Sequence, residues 1–545
     1  MPSIRILQFG GIRPAVEPRL LPLRNAQVAY NTELRRGDLC PYETPVRVAS
    51  CGGPQVYAAP MFTDNPRVIC EDGCMVDMYR TCLDIHEVGV FYDDGRPPLA
   101  IAQATQRPLL PVAPTSAPLV AMVSNGPEFE YSGPDARFYL YTWVNSDGVE
   151  SRPSPPSVAL TVRDGAVVNV TMQAPPPGVV GVRVYRNDSP LGPPSDKEGE
   201  VRSTPQLVTE LNPTNFFRDD FRLSEMEQGG LTTMDHCDPP AMTCVKSTEA
   251  GYLVGFVGNE LRFAELGEPH NWPERYSFLL PHEIVGIAVR QNSVYVGTTG
   301  NPYRFDVDQP TGENDLMRYD IHRYDGNLPL YSMHAITPTD TGAAYASKGG
   351  VVHLDQAMAR VATRDRIDED EWDARIRPDI MVWQNGRLYA AGGDLGGFIL
   401  GWQGGENLDI GDFVSIGWTP SFVTAGYDGR LYYVEGGATY VWDEGDTPLP
   451  YRWVSRVYRA QGWMKWAAAK VVGEQTPANP VTFRLYSENG LYWQQQVVDN
   501  KPFRLPCGPR GIEWWIDIEG STCVREVHVA TSKQELTEVG GEQNG

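Results

Sequence analysis

Hydrophobic and polar residues change places at every second position along much of this chain. Runs such as RFYLYTWV (137–144), VVNVTM (167–172), VGVRVYR (180–186), SVYVG (293–297), RLYAA (387–391), RLYYVE (430–435), VTFRLYS (481–487) and EWWIDIE (513–519) are rich in Val, Tyr, Phe, Trp and Thr. Gly, Pro, Asn or Asp bounds most of them. A period of two with such boundaries predicts short, half-buried antiparallel strands. One stretch, DRIDEDEWDAR (365–375), predicts a helix instead: acids crowd its first turn, where the helix dipole favours them, and Pro378 stops it.

The strands group into four segments. Residues 1–110 show little periodicity and many Pro and Gly interruptions, which predicts extended strands laid against something else. A Pro-rich connector, RPLLPVAPTSAP (107–118), is expected to be stiff. Residues 111–224 carry a strand every 10–15 positions, with a tight turn at Ser146-Asp147-Gly148, and predict one small β-sandwich. Within it, GVRVYRND resembles the central strand of fibronectin type III modules, and SPPS the link between their strands. The Cys…Trp…Cys signature of immunoglobulin domains is missing.

Residues 225–465 contain a weak repeat of strand, Gly-containing turn and strand. Taking Tyr252, Tyr295, Tyr345, Tyr389 and Tyr432 as markers, successive units lie 43, 50, 44 and 43 residues apart. That period fits a β-propeller of five or six blades, because a single four-stranded blade cannot bury both faces and must stack on a neighbour. The helix at 365–375 would be an insertion between the third and fourth units. Residues 466–545 predict a small C-terminal β domain, with a hairpin at Glu488-Asn489-Gly490 and a loose polar tail.

Charge narrows the function. The chain has 545 residues and a formal net charge of −23. An excess of acids argues against a protein that grips nucleic acid by neutralising phosphates, and against a basic membrane-surface protein. No apolar run is long enough for a membrane helix, and the N-terminal residues lack a signal peptide's apolar stretch, so a soluble protein made in a cytoplasm is expected.

Nine cysteines are present, five of them within the first 82 residues. Reduced thiols are the expectation without a secretion signal. Cys70-x3-Cys74-x7-Cys82-x3-His86 offers four zinc ligands in close sequence, although not at finger spacing, and a disulfide formed late is the third alternative.

Catalytic signatures are missing. There is no GxSxG elbow, P-loop, HExxH or strand-GxGxxG-helix context, so neither a catalytic set nor a cofactor is expected. His270 and His282 are not paired at ligand spacing. The acids Asp365, Asp368, Glu369, Asp370, Glu371 and Asp373 read as a solvated face, since no Asp-x-Asp-x-Asp-Gly loop accompanies them. The 13 Trp and 26 Tyr suit blade cores and interfaces as well as sugar stacking. Some five-bladed propellers are glycoside hydrolases, but the converging carboxylates they need cannot be picked out among 69 acids.

One stretch is more specific. FGGIRPAVEPRLLPLRNAQVAYNTELRRGDLCPYETP (9–45) resembles the opening of virion proteins of tailed bacteriophages: Phe9-Gly10-Gly11-Ile12-x-Pro14, then Pro18-Arg19-Leu20-Leu21-Pro22, then Ala26-Gln27-x-Ala29-x-Asn31, then a Gly-x-Leu-x-Pro strand. YTWVNSDGVESRPSPPS (141–157), RFAELGEPHNWP (262–273) and the closing 502–536 look like further stretches of the same group. Its plan is similar to that of the tail nozzle, or tail tubular, proteins of short-tailed phages.

The resemblance implies a homohexameric ring in the virion tail, assembled in the host cytoplasm below the portal and bound to the tail adaptor protein. Such a ring would extend the DNA channel, retain the genome and open for ejection, touching DNA only in transit. It also implies fibres or other tail proteins as partners, and Phe9, Gly10, Gly11, Pro14, Pro18, Arg19, Gln27 and Asn31 as an assembly motif. An acidic lumen would let phosphate slide without sticking. The segment 1–110 is the expected arm toward a neighbouring copy. The rival readings are a tail protein that anchors fibres or recognises host carbohydrate, and a propeller glycoside hydrolase.

Overall fold

A computed structural model describes residues 3–50, 112–126, 135–190 apart from 147, 204–226, 229–237, 242–266, 271–308, 316–403, 409–426 and 429–538, with the backbone of strands between 55 and 108. The protein is mainly β and contains a β-propeller. Four blades are consecutive antiparallel meanders, beginning at the strands Thr243–Ser247, Ile284–Arg290, Ile336–Pro338 and Ile380–Gln384. The first strand of each lies beside the first strand of the next. Every repeat marker sits in or next to the second strand of its blade with its ring buried: Tyr252, Tyr295, Tyr345, Tyr389 and Tyr432.

The fifth blade has only three strands from its own region, Phe422–Ala425, Leu431–Glu435 and Ala438–Val441. Its outer strand, Val46–Ser50, comes from the beginning of the chain and pairs antiparallel with Ala438–Val441. The hairpin Gln55–Ala59 and Arg67–Glu71 follows, its first strand continuing the row of inner strands beside Phe422–Ala425.

A sandwich precedes the propeller. Its three-stranded sheet is Leu119–Ser124, Val167–Thr171 and Phe216–Asp219. The four-stranded sheet runs Leu160–Val162, Asp135–Asn145, Val179–Pro190, Gln206–Leu211. Alternate residues Tyr139, Tyr141 and Trp143 fill the space between them with Val168, Val170, Val182 and Val184. The same strand is edged by SRPSPPS. Ser151, Ser154 and Ser157 each donate a backbone N–H to the carbonyl of Trp143, Tyr141 and Tyr139 respectively, at 2.8, 2.9 and 2.9 Å. Their hydroxyls accept the N–H of the same three residues at 2.9, 3.2 and 3.0 Å. A polyproline-like stretch repeats every three residues and a strand every two, so serine at each third position can serve each second strand residue.

The C-terminal residues pack two sheets. One has the order Ser3–Ile6, Val524–Ala530, Ala468–Gly473, Phe503–Arg504, so the N-terminal strand is its edge. In the other, Ala26–Tyr30 pairs antiparallel with Tyr451–Ser455 and meets Asp409–Ile416 of the fourth blade in parallel at Tyr30 and Ser415. Blade and C-terminal sheet thereby become one continuous surface.

Two expectations need correction. The helix expected over 365–375 is one α-turn, Glu369–Glu371, that widens into a π-turn over Trp372–Ile376. It starts late because the backbone N–H groups of Arg366 and Ile367 turn back to the Thr363 carbonyl, and Asp368 caps the turn by accepting from Asp370 N at 3.0 Å. Trp372 and Ile376 are buried, and the Trp372 indole donates to the Ser347 carbonyl at 2.8 Å.

Reduced thiols were the second expectation, but Cys40 and Cys523 form a disulfide across a sequence separation of 483. Leu39 and Val524, next to them, exchange backbone hydrogen bonds at 2.9 Å each way, which brings the sulfurs together. No helix among the described residues is long and apolar enough to cross a membrane.

Peptide mapping without reductant should recover Cys40 joined to Cys523 and leave the exposed Cys507 alkylatable. A second outcome concerns His353 in the third blade, which is 1% exposed, bonded to Thr341 Oγ1 at 3.1 Å and edge-on to Trp402. Burial, aided by Arg360 and opposed by Asp355 and Asp340, pushes its pKa from 6.5 down to about 4. The unfolded chain therefore binds the extra proton first, so stability is full above pH 6.5 and falls as pH drops toward 4. The loss attributable to this group is on the order of 3 kcal/mol. His353→Gln should flatten the slope of denaturation midpoint against pH in that window.

Candidate functional site

The residues singled out in 9–31 come together as a clasp inside this one chain. Phe9 is buried edge-on against Trp453, with ring centroids 4.9 Å apart. The Trp453 indole donates to the Gly10 carbonyl at 3.0 Å. The two glycines are required by close approach. A Cβ on Gly10 would stand 2.9 Å from the Arg24 carbonyl oxygen, and one on Gly11 2.5 Å from the backbone N and O of Phe413. Gly11 N donates to Asp412 Oδ1 at 2.8 Å, and its carbonyl accepts from Asn25 Nδ2 at 2.9 Å.

Farther along, Gln27 donates to the Ser455 carbonyl at 2.7 Å. Asn31 holds φ at 53°, a left-handed conformation that asparagine tolerates. Its amide bridges the two units, donating to the Pro450 carbonyl at 3.3 Å and accepting from Gly417 N at 3.2 Å. Pro18 and Arg19 are exposed, but their carbonyls accept from Val457 N and Arg456 Nη2. Among the described residues Arg19 pairs with Glu17, at 2.8 Å on the surface. Pro14 is half-buried. Residues 3–50 are thus packed against the fourth and fifth blades and the C-terminal sheets of their own chain.

Partners that the sequence did not reveal complete the clasp. Arg387, buried in the fourth blade, forms an ion pair with Glu33 and lies over the Tyr42 ring at 5.5 Å. Burial pushes the Glu33 carboxyl up, yet Arg387 and Arg35 outweigh it and hold it below the usual range. The clasp is packing, hydrogen bonding and charge pairing.

A second feature is a cavity of about 430 Å³ bordered by the first strands of the five blades. Lys246, His334, Trp383 and Phe422 line it, with His334 edge-on to Phe422 at 5.9 Å. Burial and the neighbouring Lys246 hold His334 below the ordinary imidazole value. Its described lining contains no carboxylate, so the pair needed for glycoside hydrolysis is not brought together there.

Of the possible zinc ligands, Cys74 and the side chains of Cys70, Cys82 and His86 lie outside the described residues. No cluster of metal-ligating side chains occurs among the described residues.

No family model matches the chain, and no curated protein matches it. Among solved structures it is similar to the Dos1 propeller, at 9% identity and a TM-score of 0.27, over 82% of this chain and 96% of that one. It is similar to streptogramin B lyase at 11% identity and 0.24, over 60% and 97%. A third is the extracellular domain of a putative one component system from B. thetaiotaomicron, at 9% and 0.28, over 85% of this chain and 47% of that one.

Trp453→Ala should cost about 3–5 kcal/mol, the range for emptying a buried tryptophan site, and chemical denaturation would measure it. Gly11→Ala, which forces a methyl into the Phe413 backbone, should also destabilise. In both variants limited proteolysis should cut within residues 10–30 faster than in the unaltered protein.

Proposed function

We propose that this chain is a structural protein of a short phage tail, the ring-forming nozzle or hub that lengthens the DNA channel below the portal and adaptor. In this reading it holds the genome, opens for ejection, and carries out no catalysis of its own. The observation that carries the proposal is the opening stretch. Its resemblance to tail proteins rests on Phe9, Gly10, Gly11, Gln27 and Asn31, and those residues hold the clasp together. Residues whose service is mechanical fit a protein whose work is mechanical.

Charge supports the same reading. At −23 per copy, a ring would repel phosphate and offer few cationic anchors to passing DNA. The cavity on the propeller axis, about 430 Å³, matches a small-ligand pocket rather than a duplex. The bore would therefore lie between copies. Closing a ring by rotation requires two different, matching faces on each copy.

Mass photometry of the full-length protein, alone and with the adaptor of the same virion, tests this. The expected species is a closed ring at six times the 60.5 kDa protomer mass. A trimer would favour the fibre-anchoring reading, and a protein that stays monomeric even on the adaptor would overturn the ring. Release of reducing ends from host polysaccharide would instead establish an enzyme.

A further inference from the structure

A cleft of about 400 Å³ lies between the N-terminal strand and the strand Tyr458–Met464. Three consecutive residues of the first, Ser3, Ile4 and Arg5, border it, as do Tyr458, Arg459 and Ala460 of the second. Side chains of a strand alternate between faces, so consecutive residues border one space only when the strand's edge is turned toward it. Both edges are open. Ser3–Ile6 pairs with Val524–Ala530 on one side only, and Tyr458–Met464 pairs with Gly511–Gly520 on one side only, among the described residues.

The side chains around the cleft are uniform in charge. Arg5, Arg456 and Arg459 line it, and its described lining has no carboxylate. Arg456 donates Nη2 to the Arg19 carbonyl at 2.6 Å and Nε to the Val457 carbonyl at 3.4 Å. Arg5 and Arg459 are exposed and form no ion pair with any described residue. In a chain with 69 acids and 46 bases, an arginine group without acids runs against the prevailing charge. Beneath the arginines lie Met464, Trp466 and Trp514, an apolar floor, and the same strand exposes Trp463 at 62%.

We propose that this cleft binds an extended acidic segment of another protein chain by strand addition. An open strand edge offers N–H donors and C=O acceptors in alternation, which matches a peptide backbone. A phosphate group only accepts, so it would leave the edge carbonyls unmet. In an added strand, acids at alternate positions reach the arginines and the intervening apolar side chains rest on the tryptophan floor. The inference is independent of the tail reading: a protein that forms no ring would keep this cleft.

The test uses the full-length protein and a fluorescein-labelled heptapeptide of alternating Glu and Val. Its Lys–Val counterpart and a short oligothymidine are the controls. Anisotropy at low salt should show binding of the Glu peptide alone, weakened about tenfold or more in the double variant Arg5→Glu, Arg459→Glu. Hydrogen exchange should show protection gained at amides within 3–6 or 459–463 on binding. Arg5→Gln with Arg459→Gln, which adds no negative charge, should give a smaller loss at an unchanged melting temperature. Failure of the Glu peptide to bind, binding that ignores the double variant, or binding without amide protection would each overturn strand addition. Oligothymidine binding that the Glu peptide cannot displace would overturn the peptide assignment in favour of a phosphate site.

Discussion

Trp453 against Phe9 and the Gly10 carbonyl is the contact on which the rest of the structure depends. The reason is topological. The fifth blade lacks an outer strand until residues 46–50 supply it, so the beginning of the chain must return to the middle. On its way it has to run between the fourth blade and the C-terminal sheet. There every backbone group it buries needs a partner, because an unmet polar group costs about 1–3 kcal/mol. Gly11, Gln27 and Asn31 meet that demand from one side and Asp412, Ser455, Pro450 and Gly417 from the other, while Asn25 serves the Gly11 carbonyl within the segment. Blade closure and the joining of two units are thus one event, performed by one segment.

Buried charge adds specificity in the units that the clasp does not reach. In the sandwich, Arg137 and Arg186 share Asp188 at 2.6 and 2.8 Å, and Arg186 also meets Asp219 at 2.9 Å, with each of these side chains 6% exposed or less. The Tyr139 hydroxyl donates to Asp219 at 2.6 Å. Removing two cations and two anions from water is expensive, and the desolvation can cancel the attraction. What the arrangement does is tie three strands in one register, since a slip of one residue would leave a charge unpaired in an apolar core. The Glu33–Arg387 pair plays the same part between the N-terminal segment and the fourth blade.

Much of the fold was legible because it is written in local pattern. Period-two alternation marked the strands, and the tyrosines at 252, 295, 345, 389 and 432 marked the second strand of each blade, since a ring at that point fills the space between neighbouring blades. What was not legible depends on residues far apart in sequence. The Val46–Ser50 strand has the same composition whether it pairs at home or with Ala438–Val441. Cys40 and Cys523 carry no spacing signal at all, and only the facing of Leu39 and Val524 joins them. The helix near 370 was overstated because acids and dipole suit a long helix, whereas Trp372 must reach the Ser347 carbonyl and widens the turn to do so. At the clasp, sequence resemblance marked Phe9, Gly10, Gly11, Gln27 and Asn31 but left their partners unnamed.

The same long-range character bears on how the protein is made. Contacts between residues 3–50 and residues 409–530 cannot form until nearly the whole chain exists, and folding slows as contacts become more distant in sequence. The blades from 243 to 416 have no such dependence, since each pairs with its neighbour in order. The pairings within and between these four blades therefore do not require the two chain ends, whereas closure of the fifth blade does. The Cys40–Cys523 bond lies where those ends meet, and it can close only after they have docked. In that sequence of events the disulfide records completed folding rather than directing it. The geometry that presents both sulfurs of Cys40 and Cys523 is the finished clasp itself.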